Sequence, residues 1–228
     1  PPKSVDKMIQ WLREEHESVF EDGSGKMAVS RGKVHTCPGV TLDRATPGQV
    51  EVRMIDHVQE VLDAFDKAEP KGGCTKNSAA PANLFAIDED CEKLKEEKAT
   101  AFHNLVAKTP RATKRARPGA CTAVAFLTTR VRKPDKDDWA KMVRVMKHLR
   151  GTKNLPLILG ASGSGILKCG SDASFAVHPN MRGHTGGGLS LGRGFPVVTS
   201  TKQELNTRSS AETEIVGVDD CMPSVLWT

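Results

Sequence analysis

A chain of 228 residues, 38% of them hydrophobic, is long enough to bury one large core or two small ones. No apolar run approaches the roughly eighteen residues of a membrane span. The opening Pro1-Pro2-Lys3-Ser4 also lacks the basic and apolar regions of a secretory signal, so an intracellular chain with no membrane partner is expected. The net charge of +5 is mild but uneven: residues 51–107 hold twelve acids and seven bases, a net of −5, whereas residues 108–153 hold fourteen bases and three acids, a net of +11. The second stretch is a candidate polyanion-binding surface, against the plainer reading of a solvated helical face. The six cysteines form no CxxC pair and have no histidine at finger spacing, which argues against structural zinc and for reduced thiols.

In chain order, Val5, Met8, Ile9, Leu12, Val19 and Phe20 recur at helical spacing behind Ser4, an N-cap type, and Asp22-Gly23 marks a stop. A helix over about residues 4–20 is predicted. Three short strands follow, Met27 to Ser30, Val34 to Leu42 and Gln49 to Met54, separated by Arg31-Gly32 and Thr46-Pro47-Gly48 turns. Val58, Val61, Leu62 and Phe65 then line one face of a helix that begins near Ile55 and stops before Pro70 and Gly72-Gly73. Residues 69–83, rich in Gly, Pro, Ser, Ala and Asn, read as a linker.

Three further helices are predicted: Asp90 to Lys108, Ala120 to Arg132, and Asp135 to Arg150. The last has Trp139, Met142, Val143, Met146 and Leu149 inward and Lys141, Arg144, Lys147 and Arg150 largely outward. The positive block is therefore helical. In the last seventy residues Ile166 to Phe175 reads as a strand, and Thr185 to Leu191 with Phe195 to Ser200 as a hairpin across Gly192-Arg193-Gly194. Ser209 then opens a helix. Three strands followed by a helix is an α+β arrangement.

Asp172 stands in the strand Gly170-Ser171-Asp172-Ala173-Ser174-Phe175. Alternation puts it on the face of Lys168 and Ser174, opposite Leu167, Ala173 and Phe175. A carboxylate in such a stretch is costly unless it is solvated, paired or bound to a metal. Glu212 and Glu214 open the last helix, where Ser209 or Ser210 can cap and the macrodipole favours acids. Each acid alone reads as an edge or capping residue; together, an Asp on the first strand and a Glu on the helix after a three-strand meander fit a two-metal nuclease site. His178 and His184 flank Pro179 and Gly183 and read as loop histidines.

Four stretches carry a resemblance: Ser171-Asp172-Ala173-Ser174-Phe175; Met181-Arg182-Gly183-His184-Thr185-Gly186-Gly187; Ser200-Thr201-Lys202-Gln203; and Asn206-Thr207-Arg208-Ser209-Ser210-Ala211-Glu212-Thr213-Glu214. In this order they are similar to the ribonuclease H region of copia-type retrotransposons. Upstream, Lys114-Arg115-Ala116-Arg117-Pro118 and Met146-Lys147-His148-Leu149-Arg150-Gly151-Thr152-Lys153 resemble motifs that precede that region in the same Pol polyprotein.

The resemblance implies a reverse transcriptase palm remnant over 1–68, a linker over 69–83 and helices of the thumb or connection over 84–155. A truncated ribonuclease H-like mixed sheet with its helix would occupy 158–228. It implies Asp172 and Glu214 as catalytic metal ligands, with Glu212 a capping or solvent-facing acid and the polymerase Asp-Asp pair ahead of residue 1. Mg²⁺ or Mn²⁺ would be the cofactor if the carboxylate set is completed beyond Thr228. The expected partners are an RNA–DNA hybrid or other nucleic acid and the remaining Pol domains. Lys114, Arg115, Arg117, Arg144, Lys147, Arg150 and Lys202 would grip phosphates without reading sequence. The pair Asp219-Asp220 imitates the polymerase motif, but it falls on a predicted helix where that chemistry needs a hairpin.

Overall fold

The computed structural model describes residues 2–17, 27, 29–69 and 75–228, and the chain divides into two compact units, residues 1–35 and 36–228. In the first, helix α1 spans Pro2–Glu17, and Arg31 pairs with Asp6. Val5, Met8 and Trp11 on this helix are exposed. The predicted Val19, Phe20 and Asp22-Gly23 lie outside the described residues, as do Pro70 and Gly72-Gly73. Met27, Val29 and Ser30 are in no strand.

Where a single strand is predicted from Val34 to Leu42, the chain turns at Pro38-Gly39 and makes two, β1 (Val34–Cys37) and β2 (Val40–Asp43). Strand β3 (Gln49–Arg53) pairs antiparallel with β2, and β4 (Leu157–Ala161) pairs antiparallel with β3. A two-residue strand β7 (Gly192–Arg193) adds to β4, giving a sheet of order β1-β2-β3-β4-β7. Neither β4 nor β7 is among the strands expected from the sequence, although Leu157-Ile158-Leu159 between Pro156 and Gly160 is a short apolar run of strand type.

The core is helical. Helix α2 (Ile55–Ala68) buries Val58, Val61, Leu62 and Phe65, the expected i, i+3, i+4, i+7 stripe. Helix α3 spans Glu96–Arg115 rather than Asp90 to Lys108. It starts late because residues 92–94 spend their backbone elsewhere: Leu94 N–H donates to Pro134 O, and Lys136 N–H donates to Glu92 O. It runs through Pro110 because Phe102, Leu105 and Val106 before it and Ala112 after it bury in one core, with Thr113 buried alongside. Burial of about 1.5–3 kcal/mol per large side chain outweighs a proline penalty of about 3 kcal/mol.

Helix α4 (Cys121–Thr128) stops short of Arg132 in i→i+3 turns at Thr129 and Arg130. Helix α5 (Lys136–Thr152) is capped by a reciprocal pair: the Asp135 side chain accepts from Asp138 N–H, and the Asp138 side chain from Asp135 N–H. Trp139 of α5 stacks on Phe65 of α2, with centroids 6.1 Å apart.

The C-terminal part is a second, three-stranded antiparallel sheet of order β5-β6-β8. Its strands are β5 (Lys168–Ser174), β6 (His184–Ser190) and β8 (Val197–Lys202), and helix α6 (Ser210–Leu226) packs on it. The predicted turn at Gly192-Arg193-Gly194 does more than reverse the chain, since its first two residues form β7 against β4. Gly194 sits at φ +72°, and a Cβ there would lie 2.3 Å from Ile158 O. Only glycine allows this crossing between sheets. Among the described residues the architecture is mixed α+β, with six α-helices and two antiparallel sheets, and no helix is long and apolar enough to cross a membrane.

Candidate functional site

Strand β5 pairs with β6 in the register Asp172↔Gly186 and Ala173↔Thr185. Its outer edge has no strand partner among the described residues. Ala173 is buried toward α6, where a Cβ on Gly217 would lie 3.0 Å from its own. Strand alternation therefore sends Asp172 to the other face, where it is exposed. Glu214, in the first turns of α6, reaches the open edge: its Oε1 accepts the Ala173 N–H at 3.3 Å. Glu214 thus reaches the amide next to Asp172, whose own side chain leaves the strand on the face away from α6. Glu212 does the capping work. Ser209 Oγ accepts from Glu212 N–H, and Glu212 Oε2 accepts from Arg208 N–H at 2.7 Å. Asp219 and Asp220 lie on α6, and Asp220 Oδ2 accepts from Thr185 Oγ1 at 2.7 Å.

Between sheet and helix lies a buried polar network. Gln203 Nε2 donates to Thr185 Oγ1 at 3.0 Å and to Thr213 O at 2.9 Å, and Gln203 N–H donates to Gly183 O. Its Oε1 has no hydrogen-bond partner among the described residues.

His178 and His184 are not loop residues in open solvent. They are 3% and 5% exposed, and His178 Nε2 lies 3.1 Å from His184 Nδ1. His184 Nε2 lies 2.7 Å from Ser200 Oγ, which donates onward to Thr122 Oγ1 of α4 at 3.3 Å. Phe85 packs edge-on against His178 and tilted against His184, with both centroids 5.0 Å away, and Phe126 stacks on His178. Burial pushes both imidazoles down to about 4, with Lys202 adding to the effect on His178. The pair was missed as a unit because its aromatic neighbours lie far away in sequence.

The basic block divides by environment. Lys114 and Arg115 at the end of α3 are exposed and line a groove of about 470 Å³ with Arg111, Pro196 and Val198. Arg117 is turned inward at 4% exposure, donating to Ala116 O and Lys153 O, and burial lowers its pKa. Arg150 pairs with Asp66, Arg144 Nε donates to Ser78 O, and Lys147 is half-buried. Lys202 ends β8, its pKa lowered by burial and by Arg182. Lys141, expected to face outward, is 3% exposed: its Nζ donates to Ala86 O, pairs with Asp137 and sits 5.0 Å above the Phe126 ring. Its aliphatic stem fills space on the core side while the head finds oxygen. Of the seven residues expected to grip phosphates, Lys114 and Arg115 are exposed, Arg144, Lys147, Arg150 and Lys202 are half-buried, and Arg117 is buried.

Among the described residues no three His, Cys, Asp or Glu side chains come together as a metal group. Asp172 and Glu214 supply only two carboxylates, a set that would hold a divalent ion only with waters and substrate phosphate oxygens completing its shell. Comparison with family models, curated proteins and solved structures gives no match to this chain.

Proposed function

We propose that this chain is a nucleic-acid-binding piece of a copia-type retrotransposon Pol polyprotein, related to RNA-directed DNA polymerase and to the ribonuclease of RNA–DNA hybrids. One observation carries the reading: a β5-β6-β8 meander is followed by α6, and the Glu214 carboxylate reaches the Ala173 amide beside Asp172. A strand Asp and a helix Glu on neighbouring positions are the residue types a nuclease uses to hold Mg²⁺ or Mn²⁺ against a phosphate, and the reading requires the Asp172 side chain, which leaves β5 on the face away from α6, to turn to the edge that Glu214 reaches. That ion would activate water and stabilise the leaving oxygen. The chain's own residues would place it, and Lys114 and Arg115 would hold the backbone of an RNA–DNA hybrid.

A second reading is a binding module or degenerate remnant without cleavage. It is favoured by the pair Asp172 and Glu214 having no third ligating side chain grouped with them among the described residues. A fluorescein-labelled RNA–DNA hybrid incubated with Mg²⁺ or Mn²⁺ separates the two. Cleavage that disappears in Asp172→Asn supports the nuclease, whereas salt-sensitive binding with an intact hybrid supports the module. Neither cleavage nor binding at low salt sinks both.

A further inference from the structure

A cavity of about 930 Å³ opens where α2, the start of α3 and the start of α5 meet, on residues the nuclease reading does not use. Its floor is apolar, made by Ala64, Ala68, Ala101, Leu105 and Trp139. Its rim carries five lysines against two glutamates, a lining charge of +3.

Three of those lysines are neutralised locally. Lys93 pairs with Asp135, Lys98 with Glu69 and Lys136 with Glu92. Lys98 also lies over the Trp139 ring, 4.6 Å from its centroid, and Trp139 Nε1 donates to Glu69 Oε2, so the aromatic wall is fixed in place. The side chains of Lys67 and Lys95 make no hydrogen bond or ion pair among the described residues and are exposed at the mouth, with Lys95 near enough to Glu92 to help hold that acid's pKa down. Lys95 is also the N-cap residue of α3, and its side chain caps nothing. Asn104 is the one uncharged polar side chain in the wall.

The volume lies in the range of small-molecule sites, which combine an apolar lining with a few convergent polar groups. A bare inorganic anion would leave the floor wetted and the volume unused, and once the three pairs are set aside Lys67 and Lys95 stand against Glu97, a net of +1 that disfavours a cation. We infer that this cavity binds a small amphiphilic anion, its flat or linear apolar part on the Ala64–Ala101–Trp139 floor and its phosphate or carboxylate on Lys67 and Lys95. Two sources share that chemistry, nucleoside phosphates and fatty acids. The inference stands independently of the nuclease reading.

The probe is 1-anilinonaphthalene-8-sulfonate, itself an aromatic anion, titrated into the full chain with fluorescence as readout. Saturable, blue-shifted binding at one site is expected, with the apparent Kd rising about tenfold or more in Lys67→Glu/Lys95→Glu at unchanged far-UV circular dichroism. The milder Lys67→Gln/Lys95→Gln should fall between, which keeps the test usable if the charge reversal perturbs folding. Competition then separates the sources: displacement by adenosine monophosphate but not laurate marks a nucleoside phosphate site, and the reverse marks an acyl carboxylate site. Displacement by neither compound, or probe binding unchanged in both lysine variants, overturns the inference.

Discussion

Acidification should weaken this protein through its two buried histidines, in a pH window set by their geometry. An unfolded histidine titrates near 6.5, whereas burial holds His178 and His184 down to about 4 in the fold. Above pH 6.5 both states carry neutral rings, and the packing of these rings on Phe85 and Phe126 contributes in full. Below 6.5 the unfolded chain binds protons that the folded chain refuses, so stability falls with pH until the folded rings also protonate near 4. For each ring the loss is about 1 kcal/mol at pH 5.5 and about 2–3 kcal/mol at pH 4.5. Urea unfolding at pH 7.5, 6.5, 5.5 and 5.0 reads this directly, and stopping at 5.0 keeps most carboxylates out of the titration. The comparison is His178→Gln/His184→Gln, which removes the titrating groups and should be less stable at pH 7.5 but lose less than half as much between 6.5 and 5.0. A flat wild-type profile over that window, or the same slope in both proteins, would refute the reasoning.

Arg130 donates from Nε to both Asp138 oxygens, at 3.0 and 3.1 Å, and from a terminal nitrogen to Asp135 at 3.0 Å. Both carboxylates are buried, so Arg130→Ala should cost about 3–5 kcal/mol in urea unfolding; a loss under about 1 kcal/mol would mean the acids find other partners. In Gly183→Ala the new Cβ would meet Gln203 Oε1 at 2.4 Å and Thr213 Cγ2 at 2.8 Å. Because Gln203 is tied at Nε2 to two acceptors, a cost of about 1–3 kcal/mol is expected in thermal or urea unfolding. Lys114→Glu/Arg115→Glu should weaken hybrid binding and lower the log–log salt slope by about 2. Arg117→Ala should instead lower stability and leave the slope alone; the opposite pattern would place the phosphate grip at Arg117.

How much could be read in advance depended on whether an element's partners are local. Helices α2 and α5 were legible because a 3.6-residue apolar stripe is written within each segment, as in Val58, Val61, Leu62 and Phe65, and α5 adds the capping acid Asp135. The bounds of α3 were not, since what keeps residues 92–94 out of the helix is the backbone of residues 134–136. Strand β4 escaped because its partner β3 lies about a hundred residues earlier, and two-residue β7 has no period at all. In the candidate site, alternation fixed the face of Asp172 and cap chemistry the role of Glu212. Helical spacing said which face a lysine takes but not what it would meet there, which is how Lys141 came to be expected outside.

The second unit is held together unevenly, and this bears on where its candidate site is vulnerable. Its large buried hydrophobic side chains belong mainly to α2, α3, α4 and α5, whereas the meander and α6 contribute Ala173, Leu189 and Cys221. Helix α6 turns Thr213, Gly217 and Cys221 inward and leaves Ile215, Val218, Met222 and Leu226 exposed, so little apolar burial binds it to the sheet. Polar links do much of the rest: the Gln203–Thr185–Thr213 network, Thr185 to Asp220 and the Ala173 amide to Glu214, at about 1 kcal/mol net per hydrogen bond. The seal of the sheet against the helical core is the pair of imidazoles on Phe85 and Phe126, with Ser200 bonded to Thr122 beside it. Protonating those rings puts charge into an aromatic seal that meets the helical core at one edge, through Phe126 of α4. Asp172 and Glu214 ride on the part so attached, so acid should disturb the geometry of the candidate site before it disturbs the fold that carries it.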